Sequence, residues 1–296
     1  MTMNTRSGYL AIVGRPNVGK STLLNTLIGR KISITSPKPQ TTRHQILGIK
    51  TEGDIQAIYI DTPGLHPVEK RVMSRYLNKL ATSVILDANV IVFVIDARKW
   101  TEQEDKILAC IQEATAPVVL VMNKIDLLSD RAEVLPLIEK VSEKYDFAHI
   151  VPMSAKRVDD VRALEKIVMR MLPEGPHYFP EDQMTDKNER FQIAEIVREK
   201  LILSTNQELP YSTTVVVESI KDTNTLVDIS VMIWVEREGQ KAIVIGKNGT
   251  QLKKIGTAAR QDIAVLLGRK VFLRLWVKVK SDWTNDEQAM GHLGYE

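Results

Sequence analysis

The sequence predicts an α/β domain, built as a mostly parallel sheet with helices on both faces, followed by a smaller α+β domain. Three observations lead there. Over the first 172 residues, short apolar runs alternate with helical patterns, as in a sheet covered on both faces. Pro173, Pro176 and Pro180 then fall among Glu174, Gly175, Glu181 and Asp182, a composition that reads as a linker. Beyond it the alternation stops and the order becomes α-β-β-α-α-β.

Taken in order, residues 9–13, 55–60, 90–95, 118–122 and 149–152 are near-continuous apolar runs that read as strands. Residues 48–53 add one more, joined to 55–60 by a turn so short that the pair must be antiparallel. Helical patterns fall at 20–28, 73–86, 101–114, 133–144 and 161–172. The third opens on Thr101 with Glu104 three residues on, a capping box. After the linker come a helix at 188–206, strands at 213–220 and 226–235, two helices around 250–267, and a strand at 271–279. The expected boundaries are a first domain at 7–175, a linker at 176–187, a second domain at 188–283 and a C-terminal tail at 284–296.

Composition narrows the function classes. The 296 residues suit two domains of ordinary size. A hydrophobic share of 44% with 26% charged residues excludes disordered and fibrous chains. The longest apolar run, 90–95, is far short of a membrane span. No apolar segment follows the start, so secretion is not expected. Cys110 is the only cysteine, which excludes an internal disulfide and a cysteine metal cluster and fits a reducing, cytosolic compartment. The net charge of +3 hides an asymmetry: residues 241–280 hold ten Lys or Arg against one acid, Asp262. Such an excess asks for a polyanion.

Gly14-Arg15-Pro16-Asn17-Val18-Gly19-Lys20-Ser21 matches G-x-x-x-x-G-K-[ST] between a predicted strand and a predicted helix. The glycines let the loop curl so that backbone N–H groups face an anion, and the following helix adds the positive end of its dipole. Lys20 is expected to bridge terminal phosphates and Ser21 to bind Mg²⁺, with Thr22 completing the nucleotide-binding run. Asp61-Thr62-Pro63-Gly64 ends a strand at the same sheet edge; Asp61 is assigned to Mg²⁺ through a water, and the Gly64 N–H to a γ-phosphate. Between the two motifs lies Pro39-Gln40-Thr41-Thr42-Arg43. A threonine there can close onto Mg²⁺ and release on hydrolysis; Thr42 is preferred to Thr41, although periodicity does not choose. Lys20, Thr42 and Gly64 are the expected catalytic set.

Asn123-Lys124-Ile125-Asp126 follows another strand. A carboxylate at Asp126 accepts two N–H bonds from guanine, for which adenine has no matching pair of donors. Asn123 can contact the base or brace the phosphate loop, and the Lys124 stem can cover the ring. Ser154-Ala155-Lys156 is expected to turn backbone N–H groups toward guanine O6. The position after Gly64, often a water-orienting glutamine, is Leu65, followed by His66. An apolar residue cannot hold water by a hydrogen bond, so intrinsic hydrolysis should be slow.

In the basic segment, Gly246-Lys247-Asn248-Gly249 is a turn between two apolar helical stretches. Two glycines let the backbone run close along a sugar-phosphate strand, as in a K-homology (KH) domain. Lys253, Lys254 and Arg260 follow at helical spacing, and the element order matches the type II KH arrangement. RNA is therefore the expected ligand. The aromatics Tyr211, Trp234, Phe272 and Trp276 read as core rather than as stacking platforms.

Across residues 7–283 the chain resembles the Era family of bacterial ribosome-assembly GTPases. The resemblance is carried by the phosphate loop, Lys38-Pro39-Gln40-Thr41-Thr42-Arg43-His44, the run from Asp61 to His66, Asn123-Lys124-Ile125-Asp126, the I-G-K-x-G core, Val277-Lys278-Val279-Lys280 and Trp283. It implies a P-loop G domain before a type II KH domain, with GTP or GDP and Mg²⁺ as ligands. It further implies a GTP-controlled clamp on the 3′ end of 16S ribosomal RNA that assists maturation of the 30S subunit. A monomer, cytoplasmic and peripherally associated with the cytoplasmic face of the inner membrane, completes that expectation. Asn17, with a hydrophobic residue at Leu65, implies a potassium-assisted mechanism. The main alternative is a GTPase whose basic domain is a membrane or protein adaptor; a P-loop ATPase or small-molecule kinase is disfavoured by Asp126.

Overall fold

The computed structural model describes residues 5–36, 38, 42–64, 72–205, 213–223, 225–286 and 290–291. Pro39, Gln40, Thr41, Leu65, His66 and Tyr211, named above, lie outside the described residues. The chain divides into two compact units, the second formed by residues 34–41, 70–73 and 187–296.

The first unit carries β1 (Arg6–Val13), α1 (Lys20–Ile28), β2 (Ile46–Glu52), β3 (Ile55–Asp61), α2 (Val72–Asp87), β4 (Val90–Asp96), α3 (Glu102–Ile111), β5 (Val118–Asn123), α4 (Leu135–Ser142), β6 (His149–Met153) and α5 (Val158–Arg170). Its sheet has the order β2-β3-β1-β4-β5-β6. Only β2 runs antiparallel, against β3. Every residue of β4 and β5 is buried, which is why those segments read as unbroken apolar runs. The Thr101–Glu104 capping box opens α3. A second one, Asp130 with Glu133, opens a 3₁₀ turn ahead of α4. The helix expected at 133–144 thus begins as this capped 3₁₀ turn, and α4 proper starts two residues later than expected, at Leu135.

The proline-bearing stretch is a strap along this unit. Ser7 N–H donates to Pro173 O at 3.2 Å, Gly175 N–H to Thr5 O at 2.9 Å, and Ile49 N–H to Met184 O at 2.9 Å. Gln56 is fully buried and ties the strap to the sheet, its Nε2 also donating to Thr51 Oγ1 at 3.0 Å. Its Oε1 accepts from the N–H groups of Tyr178 and Phe179, and its Nε2 donates to Phe179 O. Pro and charged residues predict a tether only while no partner for their backbone is known; here the sheet unit supplies one.

The second unit carries α6 (Glu189–Ser204), β7 (Thr213–Asp222), β8 (Val227–Val235), α7 (Glu238–Ile245), α8 (Thr250–Leu267) and β9 (Val271–Val279). β8 lies in the middle of a three-stranded sheet, antiparallel to β7 and parallel to β9. Alternate residues of β8 (Ile229, Val231, Ile233) pack on Ile193, Val197, Ile255 and Ile263 of α6 and α8. One face of the sheet is thus covered by helices. Within this unit Thr35 N–H donates to Glu199 Oε1 at 3.1 Å, and Lys38 Nζ donates to the carbonyls of Ile202 and Thr205, where α6 ends.

Candidate functional site

The carboxyl ends of β1, β3, β4 and β5 meet at one edge of the large sheet. Ile12 stands beside Asp61, Val13 beside Phe93, and Asp96 beside Asn123. In open α/β sheets that edge is where ligands bind. The loop Gly14-Arg15-Pro16-Asn17-Val18-Gly19 leaves β1 here and enters α1 at Lys20. Gly19 has φ 105°, and a Cβ on it would stand 2.3 Å from Asn123 Nδ2. Only glycine combines that backbone with so close a neighbour. Asn123 then ties the loop down: its Nδ2 donates to Val18 O at 2.7 Å. Of its two expected roles, the brace is the one its amide performs. Gly64 closes the other side, with the place of a Cβ only 3.0 Å from Pro16 N. Thr62 Oγ1 donates to Ile12 O at 3.1 Å and fixes the turn that delivers Gly64.

Ser21, Thr42 and Asp61 converge although they lie on α1, a loop and β3. Ser21 Oγ is 2.8 Å from Asp61 Oδ2 and 3.1 Å from Thr42 Oγ1, and Thr42 Oγ1 is 3.3 Å from Asp61 Oδ2. Ser33, which no motif singled out, adds a bond of 2.9 Å to the same oxygen. Burial pushes the Asp61 carboxyl above its ordinary value, although the Lys20 charge and the three hydroxyls pull the other way. Its second oxygen, Oδ1, is buried and accepts no hydrogen bond. An orphan carboxylate oxygen beside two hydroxyls is a hard, oxygen-only donor set, which suits Mg²⁺.

Lys20 is buried beneath the loop, its Nζ donating to Gly14 O at 2.9 Å and Arg15 O at 3.1 Å. Burial lowers its pKa to about 8, partly offset by Asp61. The sign follows directly. Above about pH 8 the free protein carries Lys20 neutral, whereas a phosphate dianion stabilises the ammonium. Nucleotide binding at about pH 9 should therefore take up a proton, and affinity should fall as pH rises past 8. Calorimetry with GDP in two buffers of different ionisation enthalpy reads this; the uptake should vanish in Lys20→Met. Equal heats in both buffers for the wild type would contradict it.

On the base side, Lys124 adopts a left-handed conformation, φ 71°, and Asp126 is exposed on the 3₁₀ turn Ile125–Leu127. Lys124 Nζ donates to Asn17 O at 2.6 Å and to Asp96 Oδ2 at 3.2 Å. Asp96 was not marked by any motif. Burial opposes its charge, but Arg98, bonded to both of its oxygens, and Lys124 hold its carboxyl well below the usual carboxylate range. It is the anion that orients Lys124. The Ser154-Ala155-Lys156 turn follows β6, and one expectation fails there. The Ala155 N–H donates to Asn123 Oδ1 at 2.8 Å and the Ser154 N–H to Asp160 Oδ2 at 2.9 Å, so neither points at a base. Asp160, in the first turn of α5, competes for that donor. Arg15, inside the phosphate loop, is held by the fully buried Glu104 at 2.5 Å, so the capping carboxylate of α3 also anchors the loop.

In the second unit Gly246-Lys247-Asn248-Gly249 connects α7 to α8. Gly246 has φ 71°, and a Cβ there would stand 2.6 Å from Gln251 Cβ. Asn248 has φ 53°. The turn opens into a groove of about 380 Å³ lined by Gly249, Lys253 and Arg260, with Leu252, Leu273 and Leu275 along it. Lys254 faces an adjoining surface of α8 with Lys253. Phe272 and Trp276 correct the sequence expectation: they are 53% and 57% exposed and do not belong to the core. Trp234 is half-buried beneath Lys278 and Lys280, whose Nζ atoms lie 5.3 and 5.9 Å from its ring centre.

Comparison with known proteins agrees with this geometry. Residues 9–124 match the family model described as 50S ribosome-binding GTPase, and residues 208–284 match the KH domain model. GTPase Era of Histophilus somni (strain 129Pt) is 53% identical over 292 residues, covering 98% of this chain and 97% of its own. GTPase Era of Coxiella burnetii (strain Dugway 5J108-111) is 52% identical over 292 residues, covering 99% of each. Among solved structures, Era in complex with MgGDPNP and nucleotides 1506–1542 of 16S ribosomal RNA superposes with a TM-score of 0.95 at 42% identity, covering 98% of this chain and 99% of that one. An Aquifex aeolicus Era variant bound to GDP·AlF4⁻ gives the same score, identity and coverage. With half of its residues shared along its whole length, and with both domain models matched in order, the chain belongs to the Era family of GTPases.

Proposed function

We propose that this GTPase binds the 3′ end of 16S ribosomal RNA through residues 188–283 under the control of GTP bound within residues 7–175, and so assists maturation of the 30S subunit. The observation that carries it is the groove where Gly249, Lys253 and Arg260 come together, in a chain whose relative was crystallised with that RNA segment. Gly246, Lys247 and Asn248 set the turn along which the RNA backbone approaches, and Lys253, Lys254 and Arg260 supply phosphate contacts.

In the G domain, Gly14 to Thr22 wrap the phosphates, with Lys20 as the ammonium against the β- and γ-phosphates. Ser21, Thr42 and Asp61, the last through a water, would hold Mg²⁺. Held there, such an ion would supply positive charge against the negative charge developing on the phosphates. Thr42 reaches the cluster from a loop, so its engagement is the step a γ-phosphate can reward and hydrolysis can release. The Gly64 N–H reports the same phosphate, with Thr62 and Pro63 holding its turn. Asn123 keeps the loop curled, Lys124 lies along the base, Asp126 selects guanine, and the Ser154-Ala155-Lys156 turn walls the base pocket without the Ser154 and Ala155 N–H groups, which are held by Asp160 and Asn123.

Hydrolysis is slow in this scheme because Leu65 cannot orient water. A monovalent cation near Asn17, exposed in a left-handed conformation with φ 65° on the phosphate loop, would supply positive charge as the γ-phosphate departs. Turnover should be faster in potassium than in sodium at matched ionic strength, and Asn17→Ala should abolish the difference. Equal rates for the wild type would remove the cation from the mechanism. The protein acts as a cytoplasmic monomer with peripheral attachment to the inner membrane. Among the described residues no helix is long and apolar enough to cross a bilayer, and the basic segment 241–280 suits an anionic surface as well. The function itself is tested by titrating fluorescent RNA from the 16S 3′ end into protein loaded with a GTP analogue or with GDP. Tighter binding with the analogue is expected, and equal, salt-insensitive, weak binding in both states would refute it.

A further inference from the structure

We propose that the face of the second unit's sheet opposite α6 and α8 is a second RNA-contact surface, on which unpaired bases stack against Phe272 and Trp276 as the strand leaves the groove. The proposal rests on the reading of this domain as an RNA binder and extends it to a face that the Gly246–Gly249 turn does not serve.

The register of β9 is the starting point. Leu273, Leu275, Val277 and Val279 pack with the hydrophobic core. Phe272, Arg274, Trp276 and Lys278 alternate with them and are exposed. Two large aromatics, 53% and 57% exposed, thus share one face with two cations. Apolar side chains of that size on a solvated strand cost solubility and invite misassembly unless something covers them. Charge identifies the cover. Arg274 is paired with Asp228 at 2.8 Å, which uses the acid beside it on β8. Lys278 and Lys280 lie over the Trp234 ring on the same face. The residual charge is positive, and aromatic faces with flanking cations are the chemistry that holds single-stranded nucleic acid. A purely apolar partner would leave Lys278 desolvated without a counter-charge.

Continuity supports the same occupant. β9 is an edge strand. Leu273 and Leu275 on its inner side line the groove with Gly249, Lys253 and Arg260, and their chain neighbours Phe272 and Trp276 open on its outer side. A strand held in the groove needs only to turn over this edge to meet the rings. Four residues of strand separate them by about 13 Å, so each receives a different base. Stacking of this kind tolerates sequence, because every base has a π-face.

The test uses full-length protein and nested single-stranded RNAs from the 16S 3′ end: the shortest that saturates the wild type, and one extended by eight nucleotides. Phe272→Ala and Trp276→Ala should each weaken the longer RNA about tenfold, leaving the short RNA and GTP affinity unchanged, and Trp276→Tyr should restore most of the loss. Photocrosslinking of the longer RNA to the wild type, read by mass spectrometry, should mark Phe272 or Trp276 and does not depend on any variant folding. The proposal is overturned if the variants bind the longer RNA as the wild type does, if both RNAs weaken alike, or if crosslinks stay within residues 246–260. Failure of the wild type to bind the short RNA would instead overturn the groove reading, and the two failures are thereby distinguishable.

Discussion

Asp126→Asn should weaken GTP by about 100-fold or more and shift preference toward XTP. The carboxylate is exposed at the tip of the Ile125–Leu127 turn, where a base can reach it. Guanine offers two N–H donors to a carboxylate; xanthine replaces the 2-amino group by a carbonyl, which an amide N–H can meet. The substitution is isosteric and lies on the surface, so fold stability should hold, and a melting curve checks this. Competition of GTP, ATP and XTP against a fluorescent guanine nucleotide reads the outcome. An unchanged preference for GTP would remove Asp126 from base recognition.

Gly249→Asp should weaken RNA from the 16S 3′ end by about 10- to 100-fold while leaving GTP affinity intact. At Gly249 a Cβ would meet nothing within 4 Å, so the new side chain enters the open groove rather than the core. Its charge opposes the phosphate path and its bulk keeps the backbone away. Asp tolerates the positive φ of 75° better than most residues. Gly246 would be a poorer probe, because a Cβ there collides with Gln251. Lys253→Ala behaves differently: it should weaken matched and scrambled RNA alike and flatten the salt dependence by about one counterion. Should Gly249→Asp bind matched RNA as the wild type does, the turn is a helix connector and the RNA path lies elsewhere.

How far the molecule could be read from its sequence depended on whether a feature is local. The strands β4 and β5 are buried on both faces, so Val90 to Ile95 and Val118 to Met122 announce themselves as apolar runs. The Thr101–Glu104 cap spans three residues and was equally legible. The convergence of Ser21, Thr42 and Asp61 was expected from motif order. What escaped were contacts between distant segments. Ser33 and Asp96 sit in no motif, yet one completes the Asp61 cluster and the other orients Lys124. Gln56 carries no pattern that foretells its grip on Phe179 and Tyr178. No local pattern shows that Asp160 and Asn123 take up the N–H donors of Ser154 and Ala155. For Phe272 and Trp276 a signal did exist. They share the period-2 parity of Arg274 and Lys278, which places them on the solvated face despite their hydrophobicity.

If nucleotide state governs RNA binding by this chain, RNA crosslinked to the full-length protein, recovered with a GTP analogue or with GDP bound and then sequenced, shows it most directly. The expected result is a peak at the 3′ end of 16S ribosomal RNA with the analogue, reduced with GDP and lost in Gly249→Asp. A flat distribution over cellular RNA, identical in both nucleotide states, would contradict it.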